Sequence, residues 1–417
     1  MSYSHAASVK DRECFDEAID IGGRAARGPL FISTYVPTRC GLATFTSDLA
    51  DAVDEAAGEP VSSVAAITQN SQTSAYPDRV VCRADGTSSE ACRETAEFAN
   101  ESDCTVVSLQ HDYGIYPGKW GETVLDFVES CDKPVVTTLH NLRLRPEPAQ
   151  RFIVRELVMH SDAIVVPSEC GVEILDRVYG MRGSRIHHIP HGVHPVGPAT
   201  SALKHKLDLD GRTVVMTHGL LGRDKGIEYM IDGMRRIKEV LPGSLYVVAG
   251  RTHPKLPAAD IYRESLDEWA RTQGVAENVL FIDRFLPLQE LLGYLACADV
   301  YVSPYPGREH IVSGALACAL GAGKAVVSTP YTYAREMWNK GVLMLGNFRD
   351  GPSLAERVLR LVHTPRLKAA LERRARSLSR TMSWAKVGHA YADLFASLSG
   401  VRSGQSGHSN PRSSVSA

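Results

Sequence analysis

Short apolar runs, several of them β-branched, alternate along this chain with longer segments whose apolar positions recur at helical spacing. Residues 29–35 (PLFISTY), 61–67 (VSSVAAI), 104–109 (CTVVSL), 134–139 (PVVTTL) and 163–168 (AIVVPS) are apolar on both alternating faces. Strands of that kind suit a parallel sheet covered by helices on each side, where neither face meets water. Between them the period changes. Leu42, Phe45, Leu49 and Val53 fall at i, i+3, i+7 and i+11, with Asp48, Asp51 and Glu55 elsewhere on the cylinder, which is the signature of an amphipathic helix.

After Pro190-His191-Gly192 the pattern starts again. Strands are predicted at 213–217, 245–250, 279–282, 300–304 and 325–329, with helical segments near 226–240, 260–273, 288–297, 311–322 and 351–362. Two successive blocks of strand–helix alternation predict an α/β protein of two doubly wound domains, 28–195 and 196–383. In open parallel sheets ligands bind outside the carboxyl ends of the strands, so the two domains should face each other across a cleft. Residues 1–27 lack a clean period and are expected to be a flexible lead-in with room for one short helix. Residues 400–417, rich in Ser and Gly, are expected to be disordered.

Composition narrows the class. The 417 residues carry 46 Lys and Arg against 48 Asp and Glu, a net charge of −2, so no global basic field attracts nucleic acid or anionic lipid. Nine scattered cysteines without a C-x-x-C pair argue for reduced thiols. The first 20 residues lack an apolar core of the secretory kind, and the least polar stretch, 314–323, is too short to span a bilayer. A cytoplasmic protein without membrane insertion is expected. No G-x-G-x-x-G, G-x-x-x-x-G-K-[ST] or G-x-S-x-G motif is present, which removes the signals for a dinucleotide dehydrogenase, a P-loop NTPase and an α/β-hydrolase.

Candidate chemistry gathers where strands end. Residues 34–41 (TYVPTRCG) join the first strand to a helix, and Gly41 either lets a ligand approach the helix start or serves only as a flexible turn. His111 and His140 each follow an apolar strand, where an imidazole can bond a sugar hydroxyl or carry a proton near neutral pH. The segment 185–194 holds four histidines, but Pro190 and Gly192 make it a linker turn rather than a metal site. Gly219 to Gly226 (GLLGRDKG) sets Lys225, with Arg223 nearby, at a helix start suited to phosphate. Glu309 can take two hydroxyls of a polyol, and Ser313-Gly314 offers a second anion-ready helix start. Two such starts in one domain fit a diphosphate.

In this order and spacing, the segments resemble retaining glycosyltransferases of the two-Rossmann (GT-B) type, family 4, over roughly residues 28–399. Gly219–Gly226 resembles the family's G-R-x-x-x-x-K-G, and Asp299–Pro304 its A-D-V-F-V-x-P strand. Ala322–Val327 resembles C-G-x-P-V-V, and Ser168-Glu169 with Pro190–Val193 resembles S-x-x and P-x-G-V-D. Met382–Val387 resembles the F-S-W-x-x-V opening of a last helix, here 384–399, that packs back on the first domain. Two positions depart from the pattern: Leu220 stands where the family has a diphosphate arginine, and Cys318 where it has a ribose-holding glutamate.

The resemblance implies transfer of a hexose from a nucleoside-diphosphate sugar to an acceptor hydroxyl, with retention of configuration. Lys225, Glu309 and His140 would be catalytic. Gly219, Arg223, Arg251, His310, Ser313 and Gly314 would bind the donor, and Gly41 and His111 would line the acceptor cleft. No cofactor or metal is implied beyond a UDP- or GDP-sugar co-substrate. A phosphorylase using a sugar 1-phosphate, and a non-catalytic sugar- or nucleotide-binding module, are alternatives on the same scaffold.

Overall fold

The computed structural model describes residues 19–23, 27–68, 75–252 and 259–402. The first sheet is built from β1 (Ile19–Ile21), β2 (Pro29–Ser33), β3 (Ser63–Thr68), β4 (Val80–Asp85), β5 (Val106–His111), β6 (Val135–Leu139), β7 (Ala163–Val166) and β8 (Ile186–His188). Its order is β1-β4-β3-β2-β5-β6-β7-β8, and only β1 runs antiparallel. The second sheet takes β9 (Thr213–His218), β10 (Ser244–Ala249), β11 (Val279–Ile282), β12 (Val300–Ser303), β13 (Val326–Ser328) and β14 (Leu343–Leu345) in the order β11-β10-β9-β12-β13-β14. Both orders reverse direction once, between β2 and β5 and between β9 and β12. Each sheet therefore has one crevice at the carboxyl ends of its strands. The fold is a pair of Rossmann-like α/β units.

Consecutive strand residues divide between two cores, which is why the runs are apolar on both faces. Leu30 and Ile32 pack into one cluster with Val107 and Leu109, whereas Phe31 joins Val64, Val106 and Phe45 on the opposite face. In the second sheet Val214 and Met216 face one cluster and Val215 the other.

The chain passes between the sheets twice, side by side. Val193 pairs in parallel with Ser383, and its N–H donates to the Met382 carbonyl at 2.8 Å. The last helix, Trp384–Arg402, then lies along the first, Gly41–Ala57. Gly388 permits this, since a Cβ there would stand 2.2 Å from the Ala52 carbonyl oxygen. Tyr391 reaches Thr138 through its hydroxyl at 3.0 Å.

The structure corrects the sequence reading at several edges. Part of the lead-in is a strand, because Ile19 to Ile21 pair with Cys82 to Ala84. The last helix runs to Arg402, past the boundary set at 399. The helix placed at 311–322 begins only at Gly314. The remainder of the lead-in up to residue 18, and the tail from 403, lie outside the described residues. No described helix is long and apolar enough to cross a membrane.

Candidate active site

The second sheet builds its half of the site from backbone contacts that only glycine allows. Gly219 and Gly250, at the ends of β9 and β10, have φ of +131° and +137°, and a Cβ on Gly250 would stand 1.9 Å from the Gly219 oxygen. One 3₁₀ turn, Arg223–Lys225, follows and ends at Gly226, whose φ is +65°. A Cβ at Gly226 would lie 2.2 Å from the Pro304 oxygen, so the turn is pressed against the end of β12.

That contact sets the Lys225 ammonium 4.7 Å from the centre of the Tyr305 ring and 2.9 Å from Asp224. Burial pulls the lysine pKa down, but Tyr305 and Asp224 outweigh it and the net shift is upward, so the charge is kept. Tyr305 stacks on Tyr331 at 4.9 Å, and the half-buried His310 packs against both rings at 4.8 and 5.8 Å. Burial, followed by the charge of Lys225, holds His310 down at about 4, so it is neutral near pH 7. Ser313 caps the helix Gly314–Gly321 by accepting the Leu316 N–H at 3.2 Å, and it shares a hydrogen bond with the Tyr305 hydroxyl at 3.2 Å. Lys225, Tyr305, His310 and Ser313 thus form one contiguous group.

The other predicted donor residues stand differently. Arg223 is exposed, with its guanidinium 5.6 Å from the ring centre of Tyr262. Arg251 is exposed and contributes its carbonyl to the Leu221 N–H at 2.9 Å. Glu309 is taken up by Arg143 of the first unit at 3.1 Å, each side chain about one third exposed (37% and 34%). Cys318 is half-buried against the core that holds Leu316, Ala319 and Leu320, and burial pushes its thiol up to about 12.

On the first unit, His140 follows β6, with Nε2 2.9 Å from Gln110 Oε1 and its ring 4.7 Å from that of Phe45. His111 is wholly buried, and neither of its ring nitrogens has a partner. The reading that placed His111 on the cleft surface is therefore corrected. Burial lowers His111 to about 4 and His140 to about 3, the latter helped by His191 and His111. Both imidazoles are therefore neutral near pH 7, which sets aside the proton-carrying role the sequence offered and leaves the hydrogen-bonding one. Gly41 is exposed and has open space around it. Cys40 caps the helix that follows, its sulfur accepting the Ala43 N–H at 3.3 Å.

Sequence reasoning missed Arg143, Gln110, Asp48 and the part that two linker histidines play. His191 packs on Phe45 at 5.1 Å and Trp384 at 6.0 Å, and a Cβ on Gly314 would stand 3.1 Å from its Nε2. His194 bonds Asp48 at 3.0 Å. The P-H-G-V-H spacing was the available signal, and it marks the seam between the units rather than a free turn. Among the described residues no cluster of metal-ligating side chains occurs.

Two family models match: "Glycosyl transferases group 1" over residues 212–364 and "Glycosyltransferase Family 4" over residues 115–196. The D-inositol 3-phosphate glycosyltransferase of Xylanimonas cellulosilytica is 28% identical over 291 residues, covering 64% of this chain and 67% of its own. HepE from Anabaena, solved with UDP, is 15% identical with a TM-score of 0.70, covering 89% of this chain and all of HepE. The sucrose-phosphate synthase of Thermosynechococcus elongatus is 14% identical with a TM-score of 0.73, covering 90% of this chain and all of its own. Two Rossmann-like units with polar residues gathered at their strand ends form the GT-B fold. Within that class the chain is a family 4-like glycosyltransferase.

Proposed function

We propose that this enzyme moves a hexose from a nucleoside-diphosphate sugar to an acceptor hydroxyl with retention at the anomeric carbon. The observation that carries the reading is Lys225, charged and held over Tyr305 beside the Ser313-capped helix start. A cation and oriented amides at that point suit the β-phosphate of a donor. HepE is known in complexes with UDP and with UDP-glucose, which supports a uridine donor as the first to try.

In this mechanism the bond from the anomeric carbon to the β-phosphate oxygen breaks while the acceptor hydroxyl attacks from the same face. The acceptor proton passes to the departing oxygen, and the products are the glycoside and the nucleoside diphosphate. Lys225 stabilises the charge that grows on that oxygen. A histidine lowered to about 3 is a weak base, which supports a route in which His140 bonds a sugar hydroxyl and removes no proton. Glu309, one of whose oxygens accepts from Arg143, orients the donor sugar in this reading. Lys225 and the helix start neutralise the diphosphate, so the reaction as drawn calls for no metal or cofactor. Nine scattered cysteines without a C-x-x-C pair support a reducing, cytoplasmic setting.

Thermal-shift screening of UDP-, GDP- and ADP-sugars tests the reading, because a ligand at 100 times its Kd adds about 2.7 kcal/mol of stability. One nucleotide sugar should stabilise the chain and release its diphosphate on transfer. Cys318 favours one second reading, since a neutral thiol cannot hold ribose hydroxyls as a carboxylate does. Turnover of a sugar 1-phosphate with no nucleotide sugar accepted would select the phosphorylase instead.

A further inference from the structure

His140 lies just past the end of β6, where no further strand pairing fixes its side chain. Its backbone N–H donates to the His111 carbonyl at 3.0 Å, which ties it to the end of β5. Along β5, Ser108 and Gln110 are two residues apart and share a face, while His111 points to the other. Gln110 is wholly buried and its amide has two contacts. Its Nε2 donates to Ser108 Oγ at 3.0 Å, and its Oε1 stands 2.9 Å from His140 Nε2. The Tyr116 hydroxyl donates to the Gln110 carbonyl at 2.8 Å and holds the residue from behind. The Phe45 ring packs edge to face against the imidazole at 4.7 Å.

We propose that Gln110 is a positioning residue for the transfer: through the chain Ser108–Gln110–His140 it keeps the proton on His140 Nε2 and leaves Nδ1 as a lone-pair acceptor for a sugar hydroxyl. This rests on the reading of His140 as the cleft residue that meets the transferred sugar. The amide spends its nitrogen on Ser108, so it offers His140 a carbonyl oxygen, which can only accept. A neutral imidazole that donates from Nε2 has its lone pair on Nδ1. Such a nitrogen takes a hydrogen bond from an alcohol, whereas an imidazolium could not.

Burial is the main cause that keeps the His140 ring neutral, with smaller contributions from His191 on the linker and His111 on β5. The carboxylate of Asp48, on the first helix, is engaged by His194, and that of Asp112 bonds the Asn141 side chain at 3.4 Å. Phe45 and Trp384 are apolar neighbours of this group.

The test uses the full chain labelled with ¹⁵N-histidine, with the His140 signals assigned by His140→Gln. From pH 5 to 8 the wild type should show a protonated Nε2 and an unprotonated Nδ1. Ser108→Ala, which frees the amide to turn, should mix the two tautomers. Gln110→Leu should do the same and lower kcat about tenfold or more, with the donor KM within about twofold. Gln110→Asn serves if the leucine variant does not fold. Gln110→Glu should raise the His140 pKa and give kcat an acid limb that the wild type lacks, because protonation then removes the Nδ1 lone pair at a higher pH. A proton found on Nδ1 in the wild type, or unchanged tautomer and kinetics in Gln110→Leu, would overturn the proposal. If the predicted tautomers appear but no nucleotide sugar is turned over, the positioning stands and the functional reading fails.

Discussion

Lys225 stands where a long side chain must keep its charge while more than three quarters covered (23% exposed), and Tyr305 and Asp224 together achieve this. An interaction that strengthens as the sugar bond breaks appears in turnover rather than in ground-state binding. Lys225→Ala should therefore lower kcat by about 10²–10³, the usual scale for losing a sheltered charge-stabilising group, and leave the melting temperature nearly unchanged. Arg223→Ala should lose far less, since that guanidinium lies toward Tyr262. Near-normal turnover in Lys225→Ala would remove the phosphate role. Cys318 makes the opposite case. A thiol pushed up to about 12 is almost never a thiolate, so Cys318→Ser should retain most activity and iodoacetamide should label the wild-type residue slowly at pH 7. Lys225 was legible because a strand end, glycines and a helix start surround it in sequence. The partner of Glu309 was not, because Arg143 lies 166 residues away and periodicity says nothing about contacts at that range.

Among the elements, most of the strands read correctly from sequence are buried on both faces, the partly exposed β11 excepted. β1, β8 and β14 have three residues each, and β1 and β8 are partly exposed sheet-edge strands with too little apolar signal to stand out. β4 mixes Arg83 and Asp85 with buried Val81 and Cys82, a pattern that composition alone leaves open. Glycine positions show the same limit. Gly226 and Gly41 both sit at helix starts, and the sequence does not distinguish them. Gly226 has φ +65° and would drive a Cβ into Pro304, whereas Gly41 has nothing within 4 Å. Gly226→Ala should cost at least ~2 kcal/mol by chemical denaturation, from left-handed backbone strain and the clash together, and should lower turnover by displacing Lys225. Gly41→Ala should leave stability within about 0.5 kcal/mol, as exposed sites without special geometry do. A loss of activity in Gly41→Ala at unchanged stability would mark the helix start as a place where the acceptor approaches.

At the scale of the whole molecule, the restart of the strand pattern past residue 195 announces two units, but not how they meet. Part of their contact is made by charged groups that no periodicity encodes. The Glu336 carboxylate, on the helix Thr332–Asn339, accepts the Cys170 N–H at 2.9 Å, at the start of the first unit's helix Glu169–Arg177. It also binds Lys340 at 2.9 Å, and Lys340 reaches Glu169 at 3.1 Å, so one lysine joins carboxylates from both units. Burial alone would raise the Glu336 pKa. The Cys170 N–H and Lys340 outweigh it, and the folded value lies below the ordinary 4.5. A depressed carboxylate pKa stabilises the joined state fully above about pH 4.5, and that contribution disappears as pH falls through the lower folded value. Small-angle scattering should accordingly show the radius of gyration growing as pH drops from 5 toward 3. Glu336→Gln cannot ionise, so it should be more open at pH 7 and should lose most of that acid-induced change. Donor binding at pH 7 should act in the other direction and contract the wild type, because a ligand held by both units favours the closed arrangement. If Glu336→Gln and the wild type expand identically on acidification, the seam is held elsewhere, and the Arg143–Glu309 pair is the next to remove.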